Sequence, residues 1–150
     1  YLHDIGKIAV PSEILSKPGR LTDIEYEIVK GHVKNSYDIL SAAKLPWNID
    51  ELVFNHHERL DGSGYPRQVK GDDLNLESRI LIISDVAEAI LSHRPYRPAL
   101  EYSVLLDELK KNEGRAYDQD VAAVVNELFS TDGYKLENKN MEFEFFIDNE

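Results

Sequence analysis

Apolar residues recur along most of this chain at helical spacing, and short polar or glycine- and proline-bearing stretches separate the runs. Thr22-Asp23-Ile24-Glu25 reads as a capping box, the Thr hydroxyl and Glu carboxylate satisfying free amides at a helix start. Ile24, Ile28, Val29, Val33, Tyr37 and Leu40 follow at helical intervals, which predicts one long helix over 22–43. Asn48 can cap a shorter helix carrying Leu52, Val53 and the pair His56-His57. From Arg59 to Asp73 the chain holds three glycines and a proline and reads as a loop. A helix from Leu76 to His93 follows, stopped by Pro95 and Pro98. Amphipathic patterns then predict helices over 102–112 and 118–130, the second capped by Asp118. Met141 to Phe146 alternates like a strand but has no evident partner, so 133–150 is read as a poorly defined tail. No internal repeat interrupts this order, and the class it predicts is all-α, a helical bundle.

Composition narrows the picture. The 150 residues suit a single domain with a core of its own. The apolar stretch around Ile80 to Leu91 is broken by Ser84, Asp85 and Glu88, short of the roughly 20 residues a membrane-spanning helix needs. With no cysteine, neither a disulfide nor a thiolate metal site can form, so any metal must rest on His and carboxylates. That usage fits a cytoplasmic location. A net charge of −11 disfavours a nucleic acid polymer as partner, and a phosphate-bearing ligand would need a local patch of positive potential. Because the chain opens inside an apolar, His-bearing segment, it is expected to be a fragment with helices upstream of residue 1.

The candidate chemistry lies in the company its histidines keep. His3-Asp4 precedes Gly6-Lys7, His32 sits in the long helix, and His56-His57-Glu58 closes the next. A lone helical His such as His32 is more often a satisfied core or surface residue than a ligand. Adjacent residues on a helix point about 100° apart, so His56 and His57 could serve different ions of one cluster. Asp85 lies among Ile80-Leu81-Ile82-Ile83-Ser84 and Val86-Ala87, where a buried carboxylate is costly unless a cation or hydrogen bonds compensate it. The plain alternative has Asp85 facing solvent beside Glu88. Imidazole and carboxylate without sulfur suit iron, manganese, zinc or nickel better than calcium or magnesium. A two-metal site of that kind can ionise a water and neutralise charge on a phosphoryl group.

His3-Asp4-Ile5-Gly6-Lys7 resembles the signature of HD-type phosphohydrolases, and His56-His57-Glu58-Arg59-Leu60-Asp61-Gly62-Ser63-Gly64-Tyr65-Pro66 resembles the defining stretch of the HD-GYP subgroup. Ser84-Asp85-Val86 through Arg94-Pro95-Tyr96-Arg97 resembles the next block of that family, and the likeness runs from residue 2 to about 130. It implies an HD-type helical bundle over 1–132 with a short irregular GYP loop. It further implies two or three divalent ions, iron or manganese ahead of zinc or nickel. His3, Asp4, His32, His56, His57 and Asp85 fall at the family's ligand positions, Asp4 as the bridge between two ions. Lys7 matches a phosphate-contacting lysine, so Asp4 and Lys7 are the expected catalytic pair. Tyr65 matches a tyrosine beside the nucleotide, and Arg94 and Arg97 match phosphate-holding positions; apart from the family, an ordinary solvated helix end is the preferred reading of the two arginines.

The implied activity is hydrolysis of a 3′–5′ phosphodiester of cyclic di-GMP, to linear pGpG or on to GMP. Implied partners are an upstream sensor or receiver domain, a diguanylate cyclase and a second copy of the chain. Ala87, Glu88 and Leu91 stand where the family more often has Phe, Asp and Thr, and family ligand positions upstream of residue 1 lie outside the chain. His93 carries no expected role. Three rivals stay open: a non-catalytic cyclic di-GMP receptor, an HD hydrolase for another nucleotide, and an interaction module using the loop as a docking surface.

Overall fold

The computed structural model describes residues 2–93 and 97–131. Leu2–Ala9 form a 3-10 helix, followed by α1 (Ser12–Leu15), α2 (Asp23–Ala42), α3 (Ile49–Asn55), a 3-10 turn (Gly71–Asp73), α4 (Leu76–Leu91), α5 (Tyr102–Asn112) and α6 (Gln119–Thr131). No strand occurs among the described residues, in keeping with the all-α expectation. Arg94, Pro95 and the tail from 133 lie outside them.

Local chemistry explains the starts of α2, α4 and α6. Thr22 Oγ1 accepts from the Glu25 amide at 3.3 Å while Glu25 Oε2 accepts from the Thr22 amide at 2.7 Å, the reciprocal box that starts α2. Asn75 Oδ1 starts α4 by accepting from the Ser78 amide, and Asp118 Oδ1 starts α6 by accepting from Asp120 and Val121. Asn48 precedes α3, but its side chain makes no capping bond. Two boundaries differ from expectation. The α4 helix ends at Leu91 rather than His93, because Ser92 turns extended and donates its amide back to Glu88. The α3 helix ends at Asn55, leaving His56 as its cap and His57 in the turn beyond.

Two halves are built differently. Leu74, Ile82, Ile83, Leu105, Leu109 and Val121 belong to one apolar core where α4, α5 and α6 meet; burying each such side chain fully is worth roughly 1.5–3 kcal/mol. Around α2 and α3 the interior is instead largely polar, with His32, Ser36, Asn55, His56 and Glu58 buried beside Val33, Leu40 and Val53. The expected apolar face of α2 holds only in part. Val33 and Leu40 are buried, whereas Ile24 is 77% exposed. At 3.6 residues per turn, nine positions carry the helix half a turn round, so Ile24 lies opposite Val33.

The opening 3-10 helix packs chiefly on α2. The contact is close at Gly6, where an added Cβ would stand 2.2 Å from the His32 carbonyl oxygen and 2.4 Å from the Ser36 amide. Ser36 Oγ clamps the same segment, accepting from the Gly6 amide and donating to the His3 carbonyl, both at 2.8 Å. Gly6→Ala should therefore push the segment off α2 at a cost of about 1–3 kcal/mol. Urea unfolding should show this loss, with metal affinity falling in parallel; unchanged stability would contradict the packing.

Candidate metal centre

The Ser36 clamp has a consequence one turn earlier on α2. His32 lies on the same face, so the 3-10 helix brings Asp4 against it, Oδ1 standing 3.3 Å from His32 Nε2. From the end of α3 comes His56, whose Nε2 is 3.4 Å from His32 Nε2. The other nitrogen of each ring faces a backbone carbonyl, His32 Nδ1 to Val29 at 2.6 Å and His56 Nδ1 to Val53 at 2.5 Å. A carbonyl only accepts, so both Nδ1 atoms carry the proton and both Nε2 atoms present lone pairs. Neutral rings so fixed cannot hydrogen-bond to one another.

A proton between them is disfavoured, because burial pushes His56 down to about 4 and also lowers His32. A cation satisfies both lone pairs. His57 joins them, ligand atoms of His32, His56 and His57 all lying within 4.8 Å of one another. Burial, with the charge of His56 next, drives His57 down to about 3.

A second arm of the cluster comes from α4. Asp85 is half-buried and faces the cluster rather than solvent, with Oδ1 3.4 Å from His3 Nε2 and Oδ2 3.7 Å from His57 Nδ1. His3 thus sits between two carboxylates, its Nε2 also 3.3 Å from Asp4 Oδ2. Hydrogen bonds to Asp4 and then Asp85 raise it to about 9, against the effect of burial. Burial alone would raise Asp4 and Asp85, but the partners prevail. Bonds from His3 and Lys7 hold Asp4 low, and His3 with the neighbouring imidazoles holds Asp85 low. Lys7 Nζ donates to Asp4 Oδ2 at 2.7 Å, the two lying three residues apart on the 3-10 helix, where such positions eclipse.

All six side chains expected as ligands therefore meet, and the donor set fits divalent metal. It is nitrogen- and oxygen-only, with two imidazoles whose tautomers are fixed by carbonyls in the manner of metal-binding histidines. Tyr65 stacks on His57 with ring centroids 4.8 Å apart, and burial raises its hydroxyl well above the usual phenol range. Arg97 lies apart from the cluster in its bonding, donating from Nη2 to the Ala89 carbonyl at 2.6 Å. Its Nη1 is buried without a hydrogen-bond partner among the described residues, and Arg94 is outside them. His93 is exposed just beyond α4.

Two contributors carried no expected role. Glu58 is fully buried, and its Oε1 accepts from the Arg67 and Gln68 amides at 2.6 and 3.1 Å, folding the GYP loop back on α3. The loop presses so closely that a Cβ on Gly64 would stand 2.4 Å from Glu58 Cα. Ser36 is the other. Its position four residues after His32 was a usable signal; Glu58 gave only its place in the motif.

The HD domain family model matches residues 1–121. The chain belongs to the HD domain family. Among characterised proteins, it is 42% identical over 119 residues to the cyclic di-GMP phosphodiesterase response regulator RpfG of Xanthomonas campestris, covering 78% of this chain and 32% of that protein. A Thermotoga maritima cyclic di-GMP phosphodiesterase is 38% identical over 140 residues, 91% of this chain and 38% of the relative. The 3′3′-cGAMP-specific phosphodiesterase 2 of Vibrio cholerae is 39% identical, over 78% of this chain and 23% of the relative. This HD domain thus spans between about a quarter and two fifths of the length of these relatives. Divalent metal dependence follows from the family, and no described helix is long and apolar enough to cross a membrane.

These shifted proton affinities give this HD domain a pH signature when metal is chelated away. His56 and His57 have depressed folded values of about 4 and 3. Below about 6.5 the unfolded chain therefore binds their protons first, and stability falls with falling pH. The depressed carboxylates Asp4 and Asp85 act in the same direction below about 4. His3 does the reverse: its folded value of about 9 gives stability that is full below about 6.5 and lost as pH rises toward 9. Thermal midpoints of chelated protein from pH 4 to 10 should peak near neutrality; a steady rise to pH 9 would contradict the His3 assignment.

Proposed function

We propose that this HD domain is a metal-dependent phosphodiesterase of the HD-GYP type that opens a 3′–5′ phosphodiester of cyclic di-GMP, as the catalytic part of a longer signalling protein. The observation that carries the reading is the pair of buried Nε2 lone pairs of His32 and His56, 3.4 Å apart, with Asp4 against them. Such an arrangement is costly without a cation. The names of the Xanthomonas and Thermotoga relatives supply the substrate class.

In this reading His3, Asp4, His32, His56, His57 and Asp85 hold two or three divalent ions, with iron or manganese preferred and zinc or nickel as alternatives. Bound there, the ions would acidify a water and withdraw charge from a phosphoryl oxygen. Asp4 has one oxygen toward His32 and the other toward His3, which suits a carboxylate shared by two ions. His3 gives up its proton when it becomes a ligand. Lys7, held 2.7 Å from Asp4, offers its ammonium to a phosphate oxygen as charge develops on it. Tyr65 covers His57 and presents its ring to the nucleotide, while the buried Glu58 keeps the loop that carries it in place.

Several finer readings accompany this one. A sensor or receiver domain upstream is supported by the response-regulator name of the Xanthomonas relative. A cytoplasmic location suits a cysteine-free chain. A cyclase partner and a homodimer rest on the resemblance alone. The Vibrio relative's name makes 3′3′-cGAMP the second substrate to assay.

Protein loaded anaerobically with Fe²⁺ or Mn²⁺ should convert cyclic di-GMP to pGpG or GMP, followed by chromatography. Lys7→Ala should retain metal by mass spectrometry and lose about 100-fold in kcat. No turnover of either cyclic dinucleotide at full metal occupancy would overturn the proposal.

A further inference from the structure

Beside the cluster, α4 and α5 border an open cavity of about 660 Å³ that His57, Tyr65 and Asp85 also line. Its size lies within the 300–1,000 Å³ usual for small-ligand sites, and it opens directly onto the candidate metal centre. Val86, Ala89 and Ile90 of α4 and Val104 of α5 supply apolar wall. The α5 helix adds Asp107, Glu108 and Lys111; with Val104 these form one stripe at i, i+3, i+4 and i+7.

The polar groups of that stripe are not equivalent. Glu108 is committed to the fold, its Oε1 accepting from Tyr117 Oη and Asn112 Nδ2, both at 2.9 Å. Asp107 is exposed and makes no hydrogen bond or ion pair among the described residues, and the same holds for Lys111 one turn on. The cavity thus offers a flat ring an apolar wall beside Tyr65. At its edge it offers a free carboxylate followed by a free ammonium.

We propose that this cavity is a guanine subsite in which Asp107 and Lys111 read the base, an inference that rests on the cyclic dinucleotide reading above. Guanine presents N1–H and the N2 amino group side by side, with O6 next to them. A carboxylate accepts from both donors, and an ammonium donates to O6. Adenine presents an acceptor at N1 and a donor at N6, so the same carboxylate meets a lone pair where guanine offers a proton. Asp107 is therefore a specificity residue that touches the base and leaves the phosphate chemistry to the cluster. Arg59, which also lines the cavity, adds positive charge toward the nucleotide's phosphate.

Isothermal titration of metal-loaded protein with GMP and with AMP tests this, since neither probe contains the scissile diester. Wild type should bind GMP at least tenfold tighter than AMP, the scale of one bidentate base contact. Asp107→Asn should weaken GMP about tenfold and leave AMP unchanged or improved, because a carboxamide can donate to adenine N1. Its thermal midpoint should not move, since the side chain holds no partner in the fold. Equal affinity for the two probes in wild type, or a preference that survives in the variant, would overturn the subsite. Cyclic di-GMP turnover in the same preparations separates the two readings. Turnover without base preference sinks the subsite alone; base preference without turnover sinks the phosphodiesterase alone.

Discussion

Two buried imidazoles that both keep their proton on the side away from each other set the terms for this HD domain. The carbonyls of Val29 and Val53 fix the tautomers of His32 and His56, and the facing Nε2 atoms are left 3.4 Å apart with nothing to share. Both rings are shielded from bulk solvent, being 1% and 0% exposed. An interior of this kind disfavours protonation and so selects a positive ion carrying no proton. The carboxylates of Asp4 and Asp85, kept ionised by His3 and Lys7, supply the matching negative charge.

The remaining architecture serves that arrangement. Stability is drawn mainly from the apolar core of α4, α5 and α6, which leaves the α2 and α3 side free to bury polar groups. Small polar devices then set positions: Ser36 ties the opening 3-10 helix to α2, and Glu58 ties the GYP loop to α3. Both depend on a glycine where backbones touch, Gly6 in the first and Gly64 in the second. Because α4 contributes Asp85 to the cluster and its next turn to the cavity wall, the candidate metal centre and the proposed base subsite share one helix.

Local rules made much of the fold legible. The Thr22–Glu25 box and the Asp118 cap involve residues within a turn of one another, which is the range at which sequence speaks directly. What depended on tertiary context was less legible. His56 and His57 fall beyond α3 because the turn from Asn55 to Glu58 redirects the chain. Ile24 looked like core but faces away from Val33. The meeting of His3, His32, His57 and Asp85 could not follow from spacing, since they come from separate elements. Only the motif resemblance pointed to it. Asp107 carried no motif, and its place in the cavity emerges from the packing of α5 on α4.

Anomalous diffraction from manganese- or iron-soaked crystals, recorded at the metal absorption edge, tests the central claim most directly. The account predicts density between the Nε2 atoms of His32 and His56 and in contact with Asp4, with at least one further ion near His57 and Asp85. Density confined to surface carboxylates, with the two buried rings as close and as bare as before, would contradict it.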